Sequence, residues 1–520
     1  MTILIRNAYV VPGAGRDPLP EADIVVEGDR IVAVGKDAGA GRAVSETIEG
    51  SDRIVMPGFV NAHTHSNESF EQGFYDALPL EVWLLHKYPP FAIQPLPERL
   101  HYLRTMLLAI ESVRSGVTTV QDDLINRLGE TAIFDGGVAA YRDIGLRACI
   151  TTSMSDRDFI EPLPWADTML APELRAELAR LKARPWREHI AFFERHHAMW
   201  NGAGDGRISV TLGPLGPQWC TDNLMQAATE ISLARNIPVH THTLESKVHA
   251  VQGDMLYGKT IVEHLAEIGA LTPNFSLNHA IWLTDADLDL VAAKGACVTH
   301  NPVSNLKLGA GVARVPEMLK RGIPVALGTD GTCTSDRADM LRSLAIAAIV
   351  HRVGEMDYST WTTAEDAFRM ATEGGARSTM LDREIGILAP GMKADLVLYD
   401  RGDYGFIPLK DAVAQLTYAV NSEAVRSVLV NGVVVMRERE LTLIDEPAIK
   451  AEMREEAERY LRDHVPAMEA AVKRFEPYWR DMQLRTGLTD VPASHAPVRL
   501  PCGCHPGFAH TRAPFRAEWN

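Results

Sequence analysis

Histidines and acids recur at the ends of short apolar runs in this chain. FVNAH from Phe59 leads into His63-Thr-His65, and PVHTHT from Pro238 carries His240-Thr-His242 with Glu245 three residues on. FSLNH ends at His279, ACVTH at His300, and PVALGT leads to Asp330 within Gly328-Thr329-Asp330-Gly331. Side chains at i and i+2 of a strand lie on one side, so His63 and His65 can share one metal ion. An HxH pair alone is common by chance. Joined by a later inward histidine and Asp330, it makes a set of three imidazoles and a carboxylate. That set suits one divalent ion, Zn2+ first and Fe2+ second, and leaves a position for water. A water so held has its pKa lowered to about 7, giving a nucleophile near neutrality.

Eight apolar runs are needed to position these groups, and eight are present: those starting at Phe59, Val117, Leu146, Ile208, Pro238, Phe275, Ala296 and Pro324. Helical patterns lie between them, as parallel strands with crossover helices require. Several runs follow a Gly or Asn where a helix would stop, as in SGVTT, DIGLRA, RNIPV and RGIPV. The predicted fold is α/β, a (β/α)8 TIM barrel, in which all strand ends converge on one face. A doubly wound open sheet is the rival, but no GxGxxG follows the first run. At both chain ends lie short alternating strands: ILIRNAYVV, DIVVEGDRIVAVG and RIVMPG early, EIGILAPGMKADLVLYD and VRSVLVNGVVVM late. Neither piece closes a core alone, so the two are expected to pair in a small β-sandwich, with Asn431-Gly432 as a hairpin turn.

At 520 residues the chain should hold one large domain and smaller parts. The expected division is a β-sandwich half at 1–56, the barrel at 57–385, the second sandwich half at 386–445, and a helical extension with an irregular tail at 446–520. A net charge of −16 argues against nucleic acid or an anionic membrane as partner but says little about a small molecule; the small-molecule substrate that is expected comes from the site residues. MTILIRNAYVVPGAG lacks a secretion leader's pattern, and no run approaches a membrane span. Cys149, Cys220, Cys297 and Cys333 stand singly, as reduced thiols of a cytoplasmic enzyme do, and a homo-oligomer is expected. Cys502, Cys504 and His505 offer too few ligands at too short a spacing for a structural metal and read as a polar tail.

PGFVNAHTH, HTLES, HNPVSNLKLGAG and ALGTDG together resemble the amidohydrolase superfamily. More narrowly they are similar to its branch of S-adenosylhomocysteine and methylthioadenosine deaminases and triazine chlorohydrolases, over roughly residues 1–480. The resemblance implies His63, His65, His242 and Asp330 as metal ligands, with His240, two residues deeper, as structural support. It implies that Glu245 hands a proton to a ring nitrogen, that His279 contacts the water or the developing oxyanion, and that Asp330 accepts the water's proton. It also implies a substrate contact at Asn305, which could otherwise be a turn residue, and a pocket wall at Trp83. Glu81 falls where the nucleoside deaminases grip a ribose diol; a solvated loop charge is the other reading.

The implied function is a metal-dependent aminohydrolase acting on an N-heterocycle, purine- or triazine-like. The alternatives are hydrolysis of an amide, urea or carbamate, or hydrolytic dechlorination of a heteroaromatic ring. The chlorohydrolases carry Asn after the GTD motif where this chain has Gly331 and Thr332, which leans toward deamination. Cys333-Thr334-Ser335-Asp336 departs in turn from the Asn-rich segment of the nucleoside deaminases.

Overall fold

All eight apolar runs form strands, and the strands pair in parallel in chain order: Phe59–Thr64, Val117–Leu124, Arg147–Met154, Ile208–Pro214, Val239–Thr243, Phe275–His279, Cys297–His300 and Val325–Leu327. The computed structural model describes residues 1–126, 129–354 and 356–491. Cys502, Cys504 and His505 lie outside them. Nearly every residue of these strands is buried, because the barrel interior covers one face and helices cover the other. The helices end where the sequence says they must. Gly145 (φ 84°) closes Thr131–Ile144 and Asn236 (φ 54°) closes Asp222–Arg235, each in the left-handed conformation that halts a helix. Thr284 and Asp287 form a capping box that starts Asp285–Lys294.

Between the last barrel strand and the first, no strand ladder is formed among the described residues. The seam is closed instead just above it. Asp330 N–H donates to the His63 carbonyl (2.9 Å), Thr329 N–H donates to Asn61 Oδ1 (3.0 Å), and Asn61 Nδ2 donates to Thr329 Oγ1 (2.8 Å).

The chain ends meet as expected. Leu396–Asp400 runs antiparallel to Arg53–Pro57, joining both termini in one nine-stranded sheet. Ile3, Ile5, Val10, Ile24, Val26 and Ile31 from the first half share one core with Leu396, Leu398 and Leu429 from the second, forming the β-sandwich. Asn431 (φ 52°) and Gly432 (φ 75°) make the hairpin turn, and a Cβ on Gly432 would overlap the carbonyl of Gly28. Glu46–Glu49 adds a short parallel strand beside Thr2–Val10 that its charged sequence did not suggest. Barrel and sheet are tied by a buried bidentate pair: Arg147 Nε and Nη2 each donate to Asp395 at 2.9 Å, and Nη2 reaches Asn431 Oδ1 at 3.1 Å.

The helical extension expected after residue 445 forms two helices, Glu446–Asp463 and Val465–Leu488, separated at His464. Pro466 explains the break, since it has no N–H to give the carbonyl of Arg462. The first helix is anchored by Tyr460, whose hydroxyl donates to Glu71 Oε1 (2.8 Å) beside Lys87, the buried ion-pair partner of Glu71. The second lays Val472, Phe475, Tyr478, Trp479 and Met482 on Val82 and Leu85 of the helix Leu80–Lys87, and on Ala166, Leu170 and Leu178. No helix among the described residues is long and apolar enough to cross a membrane.

Candidate active site

The strand ends bring His63, His65, His242, His279, Glu245 and Asp330 together, all buried. The support behind each ring decides which nitrogen faces inward. His65 Nδ1 lies 2.7 Å from the carbonyl of Asp123, and His242 Nδ1 lies 2.8 Å from that of Leu215. A carbonyl accepts only, so both rings carry their proton on Nδ1 and present bare Nε2 lone pairs. Those two Nε2 atoms stand 3.2 Å apart. Two lone pairs held that close repel unless a positive charge lies between them. His63 Nδ1 is braced by His240 Nε2 at 2.9 Å, leaving His63 Nε2 buried with no hydrogen-bond partner. Asp330 Oδ1 completes the group, 3.3 Å from His65 Nε2 and 3.5 Å from His63 Nε2. Three inward nitrogens and one carboxylate oxygen, each oriented from behind, fit a divalent ion.

Around that point stand the remaining polar groups. Glu245 Oε2 is 3.6 Å from His279 Nε2, which lies 4.0 Å from Asp330 Oδ2. Burial, reinforced by the charges of Asp330 and Glu81, pushes the Glu245 carboxyl well above the usual carboxylate range and so favours its protonated form. Burial also works against ionised Asp330. The hydrogen bond from Ser304 and the nearby imidazoles of His65 and His279 outweigh it and keep the carboxylate charged. Ser304 Oγ donates to Asp330 Oδ2 at 2.6 Å, and the Gly331 N–H donates to Oδ1 at 2.6 Å. A carboxyl biased toward its protonated form, an anionic base and a hydrogen-bonding imidazole surround one small space.

That space is a chamber of about 30 Å³ lined by His65, Trp83, His242, Glu245, His279 and Asp330, among others. A second cavity of about 300 Å³ shares Leu84, Leu215 and Trp219 with it. Trp83 lines the chamber, whereas Glu81 lines the outer cavity, on the helix Leu80–Lys87. Glu81 is only 6% exposed, so it is not a solvated loop charge. It accepts a hydrogen bond from Ser246 Oγ, and burial pushes its pKa up to about 7.

Asn305 is brought to the site but behind it. Its Oδ1 sits 2.9 Å from His279 Nδ1, and it is absent from the chamber lining. His300 does not join the group: its ring lies 5.4 Å from that of His351. Asp123 was missed. The second run was read as ending at Gln121, but its strand continues to Leu124 and places Asp123 Oδ2 3.5 Å from His242 Nδ1. The doubled acid after VTTVQ was the available signal. Ser246 was also missed, and a hydroxyl at a helix start gives no hint of a distant carboxylate partner.

The profile of the Amidohydrolase family matches residues 54–435, which spans the whole barrel and the pairing strands of the sheet. The chain belongs to the amidohydrolase family. As an amidohydrolase it is a metal-dependent hydrolase acting on carbon–nitrogen bonds. Among its relatives is a 5-methylthioadenosine/S-adenosylhomocysteine deaminase of Pelotomaculum thermopropionicum, 32% identical over 88% of this chain and 98% of the relative. A zinc-bound adenosine deaminase from Xanthomonas campestris superposes with a TM-score of 0.77, at 29% identity over 88% of this chain and 98% of that one. The zinc complex of an atrazine chlorohydrolase from Arthrobacter aurescens superposes with a TM-score of 0.79, at 26% identity over 88% and 100%.

Proposed function

We propose that this amidohydrolase removes the exocyclic amino group from an adenine-type ring carried on a nucleoside. His63, His65, His242 and Asp330 would hold one divalent ion, zinc before iron. The observation that carries the reading is Glu245: a buried carboxyl on the chamber wall, three residues after His242 and 3.6 Å from His279, with burial favouring its protonated form. Amide hydrolysis has little use for such an acid there, whereas addition to an aromatic ring needs the ring nitrogen protonated. The deaminase relative and the zinc-bound adenosine deaminase support this choice.

When bound by these four residues, the ion would supply a lowered pKa for the attacking water and a positive charge beside it. The chain's own groups do the rest. Asp330 takes a proton from the water, and Glu245 gives its proton to the ring nitrogen next to the attacked carbon. His279, whose Nδ1–H is held by Asn305 Oδ1, turns its bare Nε2 toward the attacking water and orients it by accepting a hydrogen bond. The proton held by Asp330 then passes to the departing nitrogen while the new hydroxyl gives its proton back to Glu245, so one ring amine and one water become one carbonyl and one ammonia and both carboxyls return to their starting states. Trp83 would stack along the ring and Glu81 would accept from the two sugar hydroxyls. Asn305 fits a positioning role, holding His279 by its other nitrogen.

Dechlorination is the less favoured reading, because the chlorohydrolase Asn is Gly331 here and a Cβ at that position would require the buried Glu68 carboxylate to move. A cytoplasmic location is supported by Cys149, Cys220, Cys297 and Cys333 being buried free thiols, and a homo-oligomer remains part of the proposal. The test is a panel of adenine nucleosides, free purines, ureas and chlorotriazines scored for ammonia, amine and chloride. Ammonia from the nucleosides is expected. Chloride or urea cleavage without it overturns the reading.

A further inference from the structure

Asp330 has φ 65°, a left-handed backbone in which a residue other than glycine is kept by its surroundings. Part of those surroundings is the segment that follows it, Cys333-Thr334-Ser335-Asp336, for which the reaction has so far supplied no purpose. The amides of Thr334 and Ser335 donate to the Gly331 carbonyl (3.0 and 2.9 Å), folding the segment back on itself. Residues 66–73, which begin directly after His65, meet it in three places. Thr332 Oγ1 donates to Ser69 Oγ (3.3 Å), Gly73 N–H donates to Asp336 Oδ1 (2.9 Å), and Cys333 Sγ donates to Glu68 Oε2 (3.0 Å).

The third contact differs from the other two in where it lies. Glu68 and Cys333 are wholly buried, and a Cβ on Gly331 would run into Glu68 Oε2, so the carboxylate rests against the neighbour of Asp330. Burial pushes the Cys333 thiol well above its usual range, so the sulfur keeps its proton and donates it. The other oxygen, Glu68 Oε1, accepts from the Tyr88 hydroxyl (2.8 Å). Asn67 Nδ2 donates to that same hydroxyl (3.2 Å), which turns the phenol's own proton toward Glu68. Tyr88 stands edge-on to Trp83 at 6.4 Å, and both share one apolar cluster with Cys333. Trp83 and Thr334 line the reaction chamber, whereas Glu68 is not among the described residues that line it.

We propose that Glu68 is a positioning residue: one buried carboxylate, held by Cys333 on one oxygen and by Tyr88 on the other, sets both the turn that carries Asp330 and the wall that carries Trp83. This rests on the roles given above to Asp330 and Trp83. Because the two donors reach different oxygens, their effects are separable. Cys333 reports on the base, and Tyr88 reports on ring binding.

The test removes the donors one at a time, since Glu68→Ala empties a buried site and strips both at once. Cys333→Ala, Cys333→Ser and Tyr88→Phe are loaded with Co2+. Visible absorption, melting temperature and ammonia release from the adenine nucleosides of the panel above are read on one preparation. Cys333→Ala is expected to shift the Co2+ bands and to lower kcat per bound ion about tenfold, with KM changed by less than about twofold. Cys333→Ser keeps a donor in place and should restore both. Tyr88→Phe should raise KM about fivefold and leave the bands and kcat close to the parent's.

A purely structural role moves the melting temperature and none of these. Bands and kinetic constants unmoved in Cys333→Ala and Tyr88→Phe overturn the proposal, whatever the melting temperature does, as does Cys333→Ser behaving like Cys333→Ala. The Co2+ bands need no substrate, so the two readings fail separately. A shift in Cys333→Ala that serine reverses, with no ammonia from the parent enzyme, sinks the deaminase reading alone. Ammonia release with bands and constants unmoved sinks this proposal alone, and neither signal sinks both.

Discussion

Asn305 Oδ1 stands 2.9 Å from His279 Nδ1, on the side of the ring turned away from the reaction chamber. This contact fixes which nitrogen of His279 carries a proton toward Asn305 and which meets the substrate. Asn305→Ala is expected to lower kcat about 10-fold or more with a small change in KM, the size of effect typical when a ring's outer partner is removed. Asn305→Asp keeps the acceptor and should restore most of the rate. Steady-state kinetics of both variants decide it: a rise in KM without loss of kcat would make Asn305 a substrate contact after all.

Glu245→Gln should retain the metal and lose roughly 100-fold or more in turnover, the range for removing a general acid. Metal content and ammonia release measured on one preparation check both halves. Near-normal turnover of a nucleoside by this variant defeats the deaminase assignment and favours amide or urea hydrolysis.

One divalent ion per chain is expected by elemental analysis, and its removal by a chelator should abolish activity reversibly. His240→Ala removes the brace behind His63. Metal affinity should fall about 10- to 100-fold as a result. Competition with a chromogenic chelator measures this directly. Two ions per chain, both needed for activity, would contradict the single-site reading.

Glu81 offers a test by pH. Burial raises its folded-state pKa from 4.5 to about 7, so between those values the unfolded chain releases a proton that the folded chain keeps. Stability attributable to this group is therefore full below pH 4.5 and falls as pH rises through 7, by up to about 3 kcal/mol. Glu81→Gln should match the parent at low pH and exceed it at pH 8 in denaturant melts of the ligand-free protein. A pH-independent difference would refute the assignment. In the same spirit, Glu81→Ala should cost about 1.5–3 kcal/mol per lost hydrogen bond in kcat/KM on a nucleoside and almost nothing on the free base.

Asp395→Ala strips the partner from buried Arg147 and breaks the bidentate link between barrel and sheet. The expected loss is about 3–5 kcal/mol, because an uncompensated guanidinium stays buried. Denaturant unfolding measures it. The double variant Arg147→Met/Asp395→Leu should recover part of the loss.

Every barrel strand was legible because each is a short apolar run bounded by a helix stop, and Gly145 and Asn236 adopt the left-handed turns their identities suggest. The convergence of His63, His65, His242, Glu245, His279 and Asp330 was legible for the same reason: strand ends of a barrel share one face. What lies behind those groups was not. The partner of Asn305 depends on a side chain 26 residues earlier, and the Ser246–Glu81 bond spans 165 residues. Neither leaves a local pattern. The break at His464 was readable from Pro466, but the docking of the following helix over the cavity was not, since amphipathicity shows that a helix has a buried face and not what buries it.

The barrel seam gives the metal group a second meaning. His63 and Asp330 are joined through the backbone at 2.9 Å where the strand ladder stops, so the first and last turns of the ring meet at the same place as two of the residues proposed to hold the ion. An ion there would work as a clasp on a hoop. Taking it out would loosen a joint as well as empty a socket, and the loosening would be concentrated at Phe59–Thr64 and Val325–Leu327 while the opposite side of the ring kept its ladder.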